Sequence, residues 1–191
     1  MSIAFVLGNG RSRLAVDLDS LRPHGKIYGC NALYRTFAPD VLVATDPEIS
    51  TAIMESGYAA KHEFYTRKPI QGSGAKLIRK NYGFSSGPIA LTLAIDEGHE
   101  KIFMIGFDLN SSDGKFNNVY AGTEFYKEVG AKETFWGNWE NQISEIIKNC
   151  GSQVIRVNES NIIPKKWQNK LLHVSMQAFQ DAININKLEA L

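Results

Sequence analysis

Two separated stretches combine the residue types that hold an anionic ligand. Phe5-Val-Leu-Gly-Asn-Gly-Arg-Ser12 ends an apolar run in a turn with two glycines and a serine. Ser85-Ser-Gly-Pro88 opens an apolar, helix-like stretch that leads to a second run, Ile102-Phe-Met-Ile-Gly-Phe-Asp-Leu109. Glycine lets a backbone come close to a ligand. The first N–H groups of a helix have no acceptor within the helix, so a joint of strand, glycine turn and helix suits phosphate. Gly8, Asn9, Gly10, Arg11 and Ser12, with Ser85, Ser86, Gly87, Gly106 and Asp108, are therefore the candidate nucleotide-binding residues. The first turn lacks the third glycine of the dinucleotide fingerprint, and no Gly-Lys-Ser/Thr follows to make it a P-loop. The paired serines also suit the N-cap of the helix they precede.

A sheet is needed to gather these residues. Ile3–Leu7, Lys26–Cys30, Val41–Ala44 and Glu63–Thr66 read as strands, with two more over 102–105 and 154–157. Short continuous apolar runs of this kind are buried on both faces. Ser12 is expected to cap a helix over 13–16. Pro88 near its start and Gly98 after its end frame a helix over 86–97, and Ile143, Ile146 and Ile147 mark an amphipathic helix over 139–149. The alternation predicts an α/β fold: one Rossmann-like domain over 1–191, its mostly parallel sheet flanked by helices. Residues 69–84 show no clear period and are a candidate lid loop. A C-terminal helical segment is expected over 165–188, where Leu172, Met176, Phe179 and Ile183 form an apolar stripe. That stripe serves either the core or a homo-oligomer contact.

Ligands of such sheets bind beyond the C-terminal strand ends. Asn9, Asn31, Asp46, Asp108 and Asn158 fall at those ends. Asp46 and Asp108 can bind ribose hydroxyls, act as a base or order a loop. Asp17-Leu-Asp19 has the form of a metal-dependent transferase motif but reads as a surface cap. The cluster Phe135-Trp136-Gly-Asn-Trp139 serves either as a loop anchor or to stack on a base or sugar.

Composition narrows the partners. Of 191 residues, 43% are apolar and 21% charged, an ordinary globular mix, and the net charge of +1 gives no basic footprint for nucleic acid or an anionic membrane. No apolar run approaches the roughly 20 residues of a membrane span. Ile3–Leu7 runs directly into a glycine turn rather than a signal cleavage site. Cys30, Cys150 and the four histidines form no disulfide, metal or catalytic pattern, so a cytoplasmic protein with no metal site and no cofactor is expected.

Residues 3–12, Tyr28-Gly-Cys-Asn-Ala-Leu-Tyr34 and 85–108 resemble the small bacterial sialyltransferases. Those enzymes pair a Gly-Asn-Gly-Pro-Ser turn with a Cys-Asn strand end and a Thr-Ser-Gly helix start with an Ile-Asp-Phe strand end. Asn118-Val-Tyr-Ala-Gly-Thr123 resembles their Ser-Tyr-Ala-Phe-Asp-Thr loop. The resemblance implies a glycosyltransferase-like enzyme that uses a nucleotide sugar, a CMP-sugar first, without metal, and a glycan acceptor. Gly8, Asn9, Gly10 and Ser12 would then lie along the phosphate and ribose, Asn31 would hold the nucleotide, and Ser86 and Gly87 would face its base or ribose. Tyr120 would stabilise the departing phosphate, and Asp46 is the candidate base. Arg11 replaces the family's proline, while Asn110 and Asn138 stand where it has a second tyrosine and its histidine base.

The same turn, Asp46-Pro47 and Asp108-Leu109 also resemble proteins similar to archaeal 6-hydroxymethylpterin diphosphokinase. That implies Mg²⁺-dependent diphosphate transfer to a small alcohol such as a pterin, with Asp46 and Asp108 holding the ion. A third reading is a catalytically inactive nucleotide-binding or assembly module.

Overall fold

The computed structural model describes residues 1–80, 82–109, 111, 113–159 and 163–191. Its strands are β1 (Ile3–Leu7), β2 (Lys26–Cys30), β3 (Val41–Ala44), β4 (Glu63–Thr66), β5 (Lys76–Leu77), β6 (Lys101–Ile105), β7 (Gln153–Val157) and β8 (Leu172–Val174). All pair in parallel in one eight-stranded sheet of order β5-β4-β3-β2-β1-β6-β7-β8. The α-helices are α1 (Pro47–Glu55), α2 (Ser86–Asp96), α3 (Gly137–Ile147) and α4 (Met176–Asn184). This is the Rossmann-like α/β architecture that the alternation of elements predicts. Among the described residues no helix is long and apolar enough to cross a membrane.

Period-two alternation along the apolar strands supplies both faces. Phe5 and Leu7 of β1 lie in register with Phe103 and Ile105 of β6. On that face they pack with Ile49 and Ile53 of α1 and with Met176 and Phe179 of α4. The rings of Phe5 and Phe103 stack at 5.7 Å between centroids. Ala4 and Val6 point the other way, beside Ile102 and Met104, under Ile89, Ala90 and Ala94 of α2 and Ile143 and Ile147 of α3. Burial on two faces explains why these strands read as unbroken apolar runs.

The chain steps outward from β1 to β5, then returns to place β6 on the other flank of β1. Strand order therefore reverses between β1 and β6. Neighbouring connections leave a crevice at such a point, beyond the C-terminal strand ends.

Three expectations are corrected. The segment after the first turn is a 3₁₀ helix over Arg11–Ala15, and Ser12 does not cap it. Residues 69–84 contain β5, whose two residues pair with Tyr65 and Thr66 of β4, and Ile78 behind it is buried. A two-residue strand has no period to read. The C-terminal helix is present as α4, but the tail over 165–188 is not one helix: β8 precedes α4, and Ser175 caps α4 by accepting from the Ala178 N–H at 3.1 Å. Leu172 thus lies on a strand, 45% exposed, while Met176 and Phe179 are covered within the chain. Asp17 is the expected cap, accepting from the Asp19 N–H at 3.1 Å.

Candidate functional site

Where strand order reverses, a cleft of about 300 Å³ opens, lined by residues from the ends of β1, β2, β3 and β6 and the start of α2. Gly8, Asn9, Gly10, Asn31, Asp46, Ser85, Ser86, Gly87, Gly106 and Asp108 all line it. Residues up to 100 positions apart in the chain are thus brought together by the sheet topology.

The floor is two turns locked face to face. The Gly8 N–H donates to Ile105 O at 2.8 Å and the Gly10 N–H to Gly106 O at 2.9 Å. A side chain on either glycine has no room: a Cβ on Gly8 would lie 2.5 Å from Gly106 O, and one on Gly10 2.5 Å from Asp108 Oδ2. Gly106 itself has φ +76°, the left-handed region that favours glycine. Asp108 fastens this junction. Its carboxylate accepts from the Ser12 N–H (3.0 Å), the Asn117 amide (3.1 Å), the Asn158 amide (3.0 Å) and the Ser12 hydroxyl. The Arg11 N–H donates to Asn117 Oδ1 at 2.9 Å. Most backbone donors of the first turn therefore already have protein acceptors, and the turn works as a brace.

Two buried arginines stand behind the floor. Arg156 of β7 donates to Phe107 O (3.1 Å) and Asp108 O (3.2 Å). Arg13 donates to Gly8 O (2.9 Å), Asn9 Oδ1 (2.6 Å) and the Tyr120 hydroxyl (3.2 Å). Asn9, so held, donates its Nδ2 to Cys30 O at 3.3 Å.

The α2 side of the cleft is arranged differently. Ser85 occupies the N-cap position, but its side chain makes no cap hydrogen bond. The Ser86 hydroxyl instead takes up Thr45, accepting from its N–H at 2.9 Å and bonding its Oγ1 at 3.0 Å. Gln142 of α3 accepts the Ser85 N–H at 2.8 Å. Within the described residues no hydrogen bond uses the N–H of Ser86 or Gly87. These are the donors that carry the positive end of the helix.

Across the cleft, Asn31 has φ +52°, and its Oδ1 is buried without a partner within the described residues. An asparagine tolerates this backbone, and the open acceptor stands at the cavity wall. Asp46, at the N-cap position of α1, makes no cap bond and is exposed at the rim. The Cys30 thiol is pushed up to about 12, chiefly by burial, so it lines the cleft as an inert wall. Trp139, alone of the aromatic cluster, lines the cleft and adds an aromatic wall.

Three expected binding or catalytic residues lie outside the cleft lining. Arg11 is exposed, with its N–H turned to Asn117. Ser12 is tied to Asp108 by its N–H and its hydroxyl. Tyr120 is buried behind the turn, its hydroxyl bonded to Arg13 and to Thr36 Oγ1 at 2.9 Å. Asn138 is exposed and does not line the cleft, and Asn110 lies outside the described residues. Sequence reasoning missed Arg13 and Arg156. Arg13 is 4% exposed while its neighbour Leu14 is 68% exposed, the reverse of what hydropathy predicts. Arg156 had only its place in an apolar strand as a signal.

A larger groove of about 780 Å³ lies between the β5 edge and α2. Its Lys76 and Lys80 are paired with Glu63 and Asp96 at 2.6 Å, and its polar groups do not converge. The polar groups that converge from several strand ends line the smaller cleft.

No family model and no curated protein matches the sequence. Solved structures do match. The sialyltransferase CST-II in complex with trisaccharide acceptor and CMP is similar at a TM-score of 0.51 and 13% identity, over 90% of this chain and 86% of that one. The sialyltransferase CstII from Campylobacter jejuni, in complex with the substrate analogue cytidine-5'-monophosphate, is similar at 0.48 and 14% identity, over 82% and 79%. The chain has a sialyltransferase-like fold.

Proposed function

We propose that the cleft binds a nucleotide sugar, a cytidine one first, and that the protein transfers the sugar to an acceptor hydroxyl without a metal. The observation that carries this reading is the pair of free N–H groups on Ser86 and Gly87, at the start of an eleven-residue helix that opens on the cleft. They suit an anionic group of the ligand, phosphate or sugar carboxylate. The unpartnered Oδ1 of Asn31 suits a ligand N–H or O–H group, and Trp139 a flat ring or sugar face. The fold shared with a sialyltransferase in complex with CMP supports the choice of nucleotide.

In this reading the N–H groups of Ser86 and Gly87 stabilise negative charge as the bond to the leaving group breaks. Tyr120, buried behind the turn, contributes through Arg13 rather than by touching phosphate. The acceptor, a glycan or small alcohol, loses its proton to Asp46, whose carboxylate is exposed and free of the helix it precedes. Asp46→Asn should lower turnover about a hundredfold or more while leaving nucleotide affinity unchanged. An unaltered rate would remove Asp46 from the role.

A second reading, Mg²⁺-dependent diphosphate transfer, has one observation in its favour: Asp46 and Asp108 line the same cleft. A cation at Asp108 would have to displace donors from Ser12, Asn117 or Asn158. Melting curves with CMP, CDP, UDP, GDP and ATP, each with and without Mg²⁺, separate the readings, because a ligand of the native state raises Tm. A rise with CMP that ignores Mg²⁺ is the expected result. A rise that needs ATP and Mg²⁺ would establish the second reading instead, and no rise with any of them would leave an inactive module.

A further inference from the structure

Arg13 is a feature of the floor that bracing alone does not explain. Its guanidinium is almost wholly buried, yet it forms no ion pair with any carboxylate of the described residues. Its partners are neutral: Gly8 O, Asn9 Oδ1, the Tyr120 hydroxyl and the Tyr120 ring, 5.5 Å from its Cζ. A buried charge held only by neutral groups is expensive, and a neutral donor would brace the turn with less desolvation. The charge is also oriented. The 3₁₀ turn exposes Leu14 and turns Arg13 inward, where its guanidinium bonds Gly8 and Asn9, two residues of the cleft lining.

We infer that Arg13 is an electrostatic specificity residue, which makes the cleft prefer an anionic ligand over its uncharged counterpart without touching either. The inference rests on the nucleotide reading for its first probe. Its physical basis is that charge acts over distance in a low-dielectric interior, whereas hydrogen bonds need contact. Burial screens Arg13 from salt, so the preference should persist at moderate ionic strength.

The test is calorimetric titration of CMP and of cytidine into wild type, Arg13→Gln and Arg13→Lys. Glutamine keeps a donor but removes the charge; lysine keeps the charge with different geometry. Arg13→Gln should weaken CMP about tenfold and cytidine less than about twofold, while Arg13→Lys retains most of the preference for CMP. Equal losses for both ligands, or an undiminished preference for CMP in Arg13→Gln, would overturn the inference and leave Arg13 a brace. Should Arg13→Gln not fold, the lysine variant decides alone: a folded Arg13→Lys that no longer prefers CMP refutes a charge effect.

Wild type binding CMP no better than cytidine would keep the nucleotide reading and refute this one. Wild type binding neither would refute the nucleotide reading. In that case a Tm rise with inorganic phosphate in wild type and Arg13→Lys, absent in Arg13→Gln, upholds the inference, and no rise in wild type ends it.

Discussion

In the turn after β1 the backbone donors are taken up by the protein; at the start of α2, on the cleft wall, two of them have no acceptor within the described residues. Gly8, Gly10, Arg11 and Ser12 all give their N–H groups to acceptors on the end of β6, the turn after it or the loop beyond. Ser86 and Gly87 give theirs to nothing within the described residues, and the serine that would cap them leaves them open. One glycine turn is a joint; the other keeps its donors open, as the proposed binding surface requires. A glycine next to a helix start is thus evidence for a ligand only when its N–H groups have no other acceptor.

The contrast can be broken most severely at Gly10. Gly10→Ala drives a Cβ against Asp108 Oδ2 and Gly106 O and should destabilise the protein by about 3 kcal/mol, a fall in Tm of about 10 °C. Gly87→Ala is the control. Its Cβ would meet only the edge of the Phe107 ring, at 3.2 Å, so calorimetry should find it far milder. Comparable losses at both positions would erase the distinction between joint and surface.

Asp108→Asn is next. It turns an amide N–H₂ toward donors that now share a carboxylate, for about 2 kcal/mol by denaturant titration. Nucleotide affinity should fall only as the fold loosens. A stable Asp108→Asn variant that binds no nucleotide would return Asp108 to the ligand.

Tyr120→Phe is smaller. It removes one hydrogen bond from Arg13 and one from Thr36, about 1 kcal/mol, and should change kcat by less than about threefold. A hydroxyl that directly stabilised the departing phosphate would lose about a hundredfold or more.

The smallest effect near neutral pH is a dependence on acid confined to the braced side. His173 of β8 lies in register with Arg156. Burial, and then the charge of Arg156, hold its imidazole down at about 4, against about 6.5 in an unfolded chain. The unfolded state therefore binds more protons between these values. Stability should be complete above about pH 6.5 and decline as pH falls toward 4. His173→Gln should flatten that decline, and an identical acid limb in the variant would exclude His173 as its source.

The sequence made the frame of this molecule readable, because strands buried on both faces are unbroken apolar runs. It also located most of the cleft, since polar residues at strand ends converge in any doubly wound sheet. It could not separate the roles of the two turns. That depends on which acceptors come within 3 Å, and the acceptors for Gly10 and Ser12 come from Gly106 and Asp108, nearly a hundred residues away. Arg13 was hidden for a related reason: its inward direction follows from the 3₁₀ turn, not from the hydropathy of its neighbours. β5 and β8 were missed because two- and three-residue strands exist through pairing with β4 and β7 rather than through local pattern.

The pairing of β1 with β6 also sets a timetable. Leu7 meets Ile105 across the middle of the sheet, so a nascent chain that has completed β4 still carries β1 with one flank unpaired and apolar residues on both faces. Contacts this distant in sequence form slowly, and such an edge invites pairing with other chains meanwhile. The cleft accordingly cannot exist until β6 has been made, and truncation before β6 should yield an aggregating chain rather than a smaller domain.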